Sequence, residues 1–374
     1  MSLDLDCLDE RIAACGGTPD CTLRVEDPGC SLFVSEVEVG SHGAALALSP
    51  DGGRLYAPVR SQRGVTAMNV GADGRLDCGQ VEGSRECAES SRTLALRGDL
   101  ELPSDPVGIT VGDLNDISPL QGTYLLMAHR AGHASLVIDD SAAETLELVD
   151  VLDGFSSSLV GVTQRPGTTQ AWFARTRGAG IALAGLATLS GGSDEERALF
   201  DSGSLAISGV SSSNSGADIR EIRFDPRDGV DVVYALSRRP EAILTARTPD
   251  SVDARLEIES LVDVGSGPSR LELAVLRGRL YGFVSCFNSR DVYVVDLDEG
   301  RLAGVVRGMT GPFVLRVDED RERIYVADFG ASVIRVVALG PLLSCLDGVS
   351  SDSSTCAPVV EATLGEPRPV RELQ

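Results

Sequence analysis

One short unit recurs along this chain and limits what it can fold into. Arg54-Leu55-Tyr56-Ala57 returns as Arg279-Leu280-Tyr281-Gly282 and as Arg323-Ile324-Tyr325-Val326. A turn precedes each copy: Ser49–Gly53, Leu276–Gly278 and Asp318–Glu322. An alternating strand precedes each turn, and a second polar loop and strand follow, as in Ser332–Val337. Period-2 alternation with β-branched enrichment predicts strands. Looser copies centre on Tyr124, Trp172 and Tyr234, so the aromatic markers fall at intervals of 68, 48, 62, 47 and 44 residues. A mean of about 54 residues divides the 374-residue chain into about seven units, near the length of propeller blades. Fourth strands are expected at Thr93–Arg97, Leu146–Val151, Leu256–Leu261, Leu302–Val306 and Val359–Leu364.

The predicted fold class is therefore all-β: a β-propeller of four-stranded antiparallel blades. Six units are complete. Seven blades are expected, with six as the alternative. The seventh would be a composite in which Leu32–Val39 and Pro369–Leu373 meet, so that the chain termini close the ring. Residues 1–30 read as a Cys-rich N-terminal segment tethered by disulfides, and residues 31–374 as a single propeller domain. Gly191–Ala217, rich in Ser and Gly, reads as a long connection inside one blade.

Ile324-Tyr325-Val326-Ala327-Asp328 followed by Ser332–Val336 resembles the YVTN-type β-propeller repeat of bacterial and archaeal surface-layer and secreted proteins. Gly267-Pro268 and Gly311-Pro312 are similar to the lead-in of that repeat. The likeness is good over residues 262–340, fair at 40–70 and weak elsewhere. It implies seven blades and a location outside the cytoplasm. It implies no single activity, because similar propellers include surface proteins, lactonases and quinoprotein subunits.

Nine cysteines bear on location. Cys78/Cys87 and Cys345/Cys356 each bracket a short polar loop and read as local disulfides. Cys7, Cys15, Cys21 and Cys30 supply two more bridges of open connectivity, and Cys286 is left over. Disulfides persist in oxidising compartments, so the chain is expected to be periplasmic, secreted or surface-anchored. Residues 1–6 show no basic or apolar leader, so an exported precursor would carry one upstream. The longest apolar uncharged run, Gly178–Ser193, is shorter than the roughly 18 residues of a membrane span.

The charge balance of 33 basic against 56 acidic residues gives −23, which disfavours nucleic acid as a partner. All the basic residues are Arg, which excludes a P-loop or a Schiff-base lysine. No Gly-x-Ser-x-Gly, Cys-x2-Cys or dinucleotide fingerprint occurs, so no cofactor or metal is expected. Sorting loops by blade topology gives a pattern. Loops between second and third strands carry Arg60, Arg63, Arg130, Arg175, Arg177, Arg238, Arg239 and Arg290. The opposite face carries Asp51, Asp225, Asp228, Asp318, Glu319 and Asp320. Guanidinium groups match carboxylate, sulfate and phosphate oxygens. The first expectation is thus a monomeric binding or scaffolding module, non-enzymatic, with an anionic glycan or a protein as partner. The alternative is a lactonase-like hydrolase on the same face. His42 or His129 would be its base and Arg175 or Arg238 its anion clamp.

Overall fold

The computed structural model describes every residue except 1, 17–20, 25–29, 36, 40–44, 61–62, 81, 83, 143–144, 177–179, 190–197, 209–216, 250–254, 349–356 and 366–374. Six four-stranded antiparallel blades follow one another along the chain. Blade I comprises Ala47–Leu48, Arg54–Val59, Gly64–Val70 and Leu76–Asp77. Blade II comprises Pro106–Asp113, Gly122–His129, His133–Asp140 and Leu146–Leu152. Blade III comprises Leu159–Gln164, Gln170–Arg175, Ile181–Leu186 and Leu199–Leu205. Blade IV comprises Ile219–Phe224, Val232–Arg238, Glu241–Arg247 and Leu256–Asp263. Blade V comprises Pro268–Leu276, Arg279–Cys286, Asp291–Asp296 and Arg301–Val306. Blade VI comprises Pro312–Asp318, Arg323–Asp328, Val333–Ala338 and Val359–Leu364.

The second strands are the most continuously buried because both faces of a blade pack against neighbours. In blade II, Tyr124, Leu126 and Ala128 join the core shared with blade III. Leu125 and Met127, on the other face, join the core shared with blade I. The marker aromatics all sit on these second strands. Their polar tips find partners when buried. The Tyr56 hydroxyl donates to Asp139 of blade II at 2.6 Å, and Trp172 Nε1 donates to Gln170 at 2.9 Å.

The six-bladed ring corrects the expectation of seven. The described residues among 1–39 form no blade. Helix α1 (Leu5–Cys15) starts at Asp4, whose carboxylate accepts from the Cys7 amide at 3.0 Å, and ends at Gly16 in the left-handed region. Its Leu8 and Ile12 pack with Leu23 and Leu32 on Val336, Ala362 and Leu364 of blade VI. Asp9 binds Arg323 and accepts from Arg321 at 3.1 Å. Of the expected strand Leu32–Val39, only Phe33–Ser35 is a strand, and it pairs with Ser2–Leu3. Val37 and Val39 then pack on Ala57 and Met68 of blade I. The N-terminal segment therefore fills the joint between the last blade and the first. Pro369–Leu373 lies outside the described residues.

Two further differences follow from the linkers. Leu94–Leu96, expected as a fourth strand of the first unit, instead adds in parallel to the outer strand of blade II. Ile207–Ser208 does the same for blade IV and Thr22–Leu23 for blade VI. Within the Ser/Gly-rich segment, Leu199–Leu205 is the outer strand of blade III.

Cys7–Cys30, Cys15–Cys21 and Cys78–Cys87 are disulfides. Cys345 is also disulfide-bonded, while Cys356 lies outside the described residues. Cys286 is free and buried, and burial pushes its thiol up to about 12, where it is inert. Among the described residues, no helix is long and apolar enough to cross a membrane.

Candidate functional site

In blades II to VI the innermost strand carries a β-bulge at the same place, at Val107, Val160, Arg220, Ser269 and Phe313. A bulge re-aims a side chain without ending the strand. Just beyond it, the loop joining strands two and three is hydrogen-bonded to the inter-blade loop. Arg130 N donates to Asp105 O, Thr176 N to Ser158 O, Arg238 N to Asp218 O, Phe287 N to Gly267 O and Phe329 N to Gly311 O. These paired loops form one face of the ring.

A cavity of about 1010 Å³ opens between blades II and V on this face. Arg130, Arg220, Arg238 and Arg239 line it, with Ser156, Ser157, Ser158, Thr176 and Asn288 as neutral polar groups. Two carboxylates, Asp218 and Glu241, also line it. Glu241 is engaged, accepting from Ser266 Oγ at 2.9 Å and Gly267 N at 3.1 Å. Arg220 Nε lies 3.4 Å from Asp218 Oδ1, yet both atoms are buried without a hydrogen bond. Burial first, then the charges of Arg238, Arg130 and Arg270, pulls Arg220 down to about 10 against the support of Asp218. Burial lowers Arg238 as well, with Arg130 adding to it against Asp218 and Glu241. Arginine keeps its proton under such a shift; what the depression records is first of all lost hydration, with positive neighbours adding to it at Arg220.

The bulge matters here. Residues Ile219-Arg220-Glu221 read as ordinary strand, but the extra residue turns Arg220 to the mouth while Glu221 joins the channel below. That central channel, about 560 Å³, is apolar along blades I to III and charged along blades IV to VI. Glu221 binds Arg223 at 2.7 Å and Arg270 at 3.5 Å, and Glu272 binds Arg316 at 2.9 Å. Burial raises Glu272, with Arg316 and Arg223 opposing.

The structure brings Arg130, Arg238 and Arg239 together in the cavity, joined by Arg220, which the loop-based sorting missed. Arg175 lies beside it, donating to Ser157 Oγ at 2.8 Å and Ser156 Oγ at 2.7 Å. Arg60 pairs with Asp105 at the joint of blades I and II. Arg63 is exposed, 3.9 Å from Glu101. Arg290 is exposed on blade V. Arg177 and His42 lie outside the described residues. His129 is fully buried, with Nε2 2.7 Å from Ser135 Oγ and Nδ1 3.3 Å from Ser104 O. Burial holds its imidazole down to about 4, so it is neutral and fastens the inter-blade loop of blade II. Asp328 does the same in blade VI, accepting from Thr310 N and Gly311 N. His133 is partly exposed, 2.5 Å from Asp153.

No protein-family model matches the chain, and no curated protein matches it by sequence. Solved structures do match in fold. A candidate 6-phosphogluconolactonase from Bacteroides fragilis aligns with TM-score 0.63 and 16% identity, over 92% of this chain and 90% of that one. The periplasmic gluconolactonase of Pseudomonas aeruginosa aligns with TM-score 0.60 and 14% identity, over the same shares. Hydrazine synthase of Kuenenia stuttgartiensis also aligns, with TM-score 0.53 and 11% identity, over 92% and 90%. At such identities the likeness shows the fold, and that fold serves different chemistries.

Proposed function

We propose that this is an extracytoplasmic propeller that binds an anionic ligand, a sugar acid or a like carboxylate, in the arginine-lined cavity at the channel mouth. The observation that carries the reading is the convergence of four arginines and two carboxylates on one cavity, with the Arg220 side chain one-fifth exposed (20%) and its buried Nε without a hydrogen bond. A bound carboxylate accepts from the guanidinium groups that face the cavity and offsets the mutual repulsion of Arg220, Arg238 and Arg130. The serine hydroxyls and Asn288 suit a hydroxylated ligand. The three disulfides support a location in an oxidising compartment. Titration calorimetry with gluconate, glucuronate, 6-phosphogluconate, sulfate and phosphate tests it. Heat that disappears in Arg220→Ala with Arg238→Ala supports the site, and no heat with any anion removes it.

A lactonase reading is second. It is favoured by the fold-level likeness to gluconolactonases and by Asp218, whose Oδ1 is buried beside Arg220 without a hydrogen bond. In it, Asp218 takes a proton from water as the oxygen attacks the lactone carbonyl, and Arg220 stabilises the oxyanion. The ring C–O bond then breaks, and the proton passes to the departing alkoxide. Titrating the acid released from glucono-1,5-lactone tests this. Turnover lost in Asp218→Asn supports it, and a wild-type rate equal to the spontaneous one sinks it.

A further inference from the structure

The ring of loops around the mouth breaks its own pattern once. Arg60, Arg130, Arg175, Arg238 and Arg290 stand at or beside the loop joining strands two and three in blades I to V. Blade VI has Phe329 there, and Phe329 is 65% exposed. Phe313, 38% exposed, occupies the bulge register that Arg220 holds in blade IV. Phe287, 39% exposed, completes a group. The segments that carry them meet at Gly311. A Cβ at Gly311 would come within 2.9 Å of the Phe287 ring. The Gly311 carbonyl accepts from Phe329 N at 2.9 Å, and Phe313 follows two residues on. A Cβ at Gly330 would meet the backbone of Thr310 at 2.9 Å, so the loop that presents Phe329 is held against its neighbour. Arg270 of the channel lies 5.6 Å from the Phe313 ring centroid.

Exposed aromatic clusters on soluble proteins mark contact surfaces. This one adjoins the arginine cavity, because Asn288, next to Phe287, lines that cavity. We propose that the mouth binds an acidic oligosaccharide: a uronate carboxylate sits among the arginines, and neighbouring sugars lie with their C–H faces on the phenylalanine rings of blades V and VI. This deepens the function proposed above and rests on it. A pyranuronate offers what the two halves ask for. It has a charged edge for guanidinium, hydroxyls for Ser156, Ser157, Thr176 and Asn288, and an apolar face for an aromatic ring.

The test compares galacturonate with tetragalacturonate by calorimetry on the whole chain, with hexaglutamate as the peptide polyanion. Tetragalacturonate is expected to bind about 100-fold tighter than the monomer, about fourfold of it the statistical factor of four equal sugars and the rest from the two rings. Phe287→Ala with Phe329→Ala is expected to remove most of that gain, about fivefold per ring, and to leave monomer affinity unchanged. Phe329→Tyr is expected to keep it. These exposed side chains hold no core, and circular dichroism confirms that the variants fold. A tetramer no tighter than the monomer overturns the proposal and leaves the arginine cavity standing. So does hexaglutamate binding with the same phenylalanine dependence, which makes the partner a protein. Absence of binding by monomer and tetramer alike overturns both readings.

Discussion

The two faces of the ring use arginine in opposite ways. On the face away from the mouth, arginines tie neighbouring elements together. Arg54 reaches Asp139 across blades I and II, Arg227 reaches Asp298 across IV and V, and Arg277 reaches Glu322 across V and VI. Paired hydrogen bonds raise Arg227 and Arg277, and Asp139 raises Arg54 against the cost of its burial. At the mouth, Arg220 and Arg238 are lowered instead. At the mouth Arg238 also ties blades, its Nε donating to Pro268 O at 2.8 Å, but there four arginines face two carboxylates across an open cavity. In a molecule carrying −23 overall, such a local excess has no ready source in composition.

This contrast makes graded predictions. The largest effect is on binding: Arg220→Ala with Arg238→Ala lowers carboxylate affinity by at least about 100-fold, on the order of 3 kcal/mol for two charge-assisted contacts. Calorimetry measures it, with circular dichroism confirming the fold of the double variant, because Arg238 Nε also donates to Pro268 O. Nearly as large is an acid effect beside the mouth. His129 is held at about 4 against an ordinary 6.5, a depressed folded value, so its contribution is present above 6.5 and lost as pH falls through about 4. At roughly 1.4 kcal/mol per tenfold change that is about 3 kcal/mol, seen as a steeper acid loss in wild type than in His129→Gln. Third, Asp139→Ala on the opposite face leaves Arg54 and the Tyr56 hydroxyl without their acceptor and costs about 2 kcal/mol in urea unfolding, with anion binding intact. Smallest, Arg277→Ala breaks a half-exposed pair and costs at most about 1 kcal/mol, falling with added salt.

Much of the ring was legible because its markers are buried for a physical reason. Tyr56, Tyr124, Trp172, Tyr234, Tyr281 and Tyr325 lie on second strands packed on both sides, where pattern is strongest. The seventh blade was an error of averaging. The long intervals after Tyr56 and Trp172 hold linkers that add parallel fifth strands, and the first 39 residues hold a wedge built around a helix. Of the loop arginines among the described residues, Arg130, Arg238 and Arg239 line the cavity. Arg220 was hidden because a bulge changes side-chain direction without changing composition. Its signal is a pair of adjacent charges, Arg220-Glu221, in an innermost strand whose counterparts in blades II and III read Val107-Gly108 and Val160-Gly161. The phenylalanine group has no repeat signal beyond the lack of an arginine where Phe329 stands.

The wedge between blades VI and I sets an order of events. Leu8, Ile12 and Leu23 are made before any blade, and their partners Val336, Ala362 and Leu364 only after the first five blades. Five inter-blade cores join neighbours in sequence and form as synthesis proceeds, whereas the sixth waits for blade VI. Closing so long a loop costs only slightly more entropy than closing a short one, but it comes late. Cys7–Cys30 and Cys15–Cys21 span 23 and 6 residues, so both lie wholly within the waiting segment. Oxidation of this short stretch can precede blade VI entirely, and the completed ring then receives a preassembled keystone.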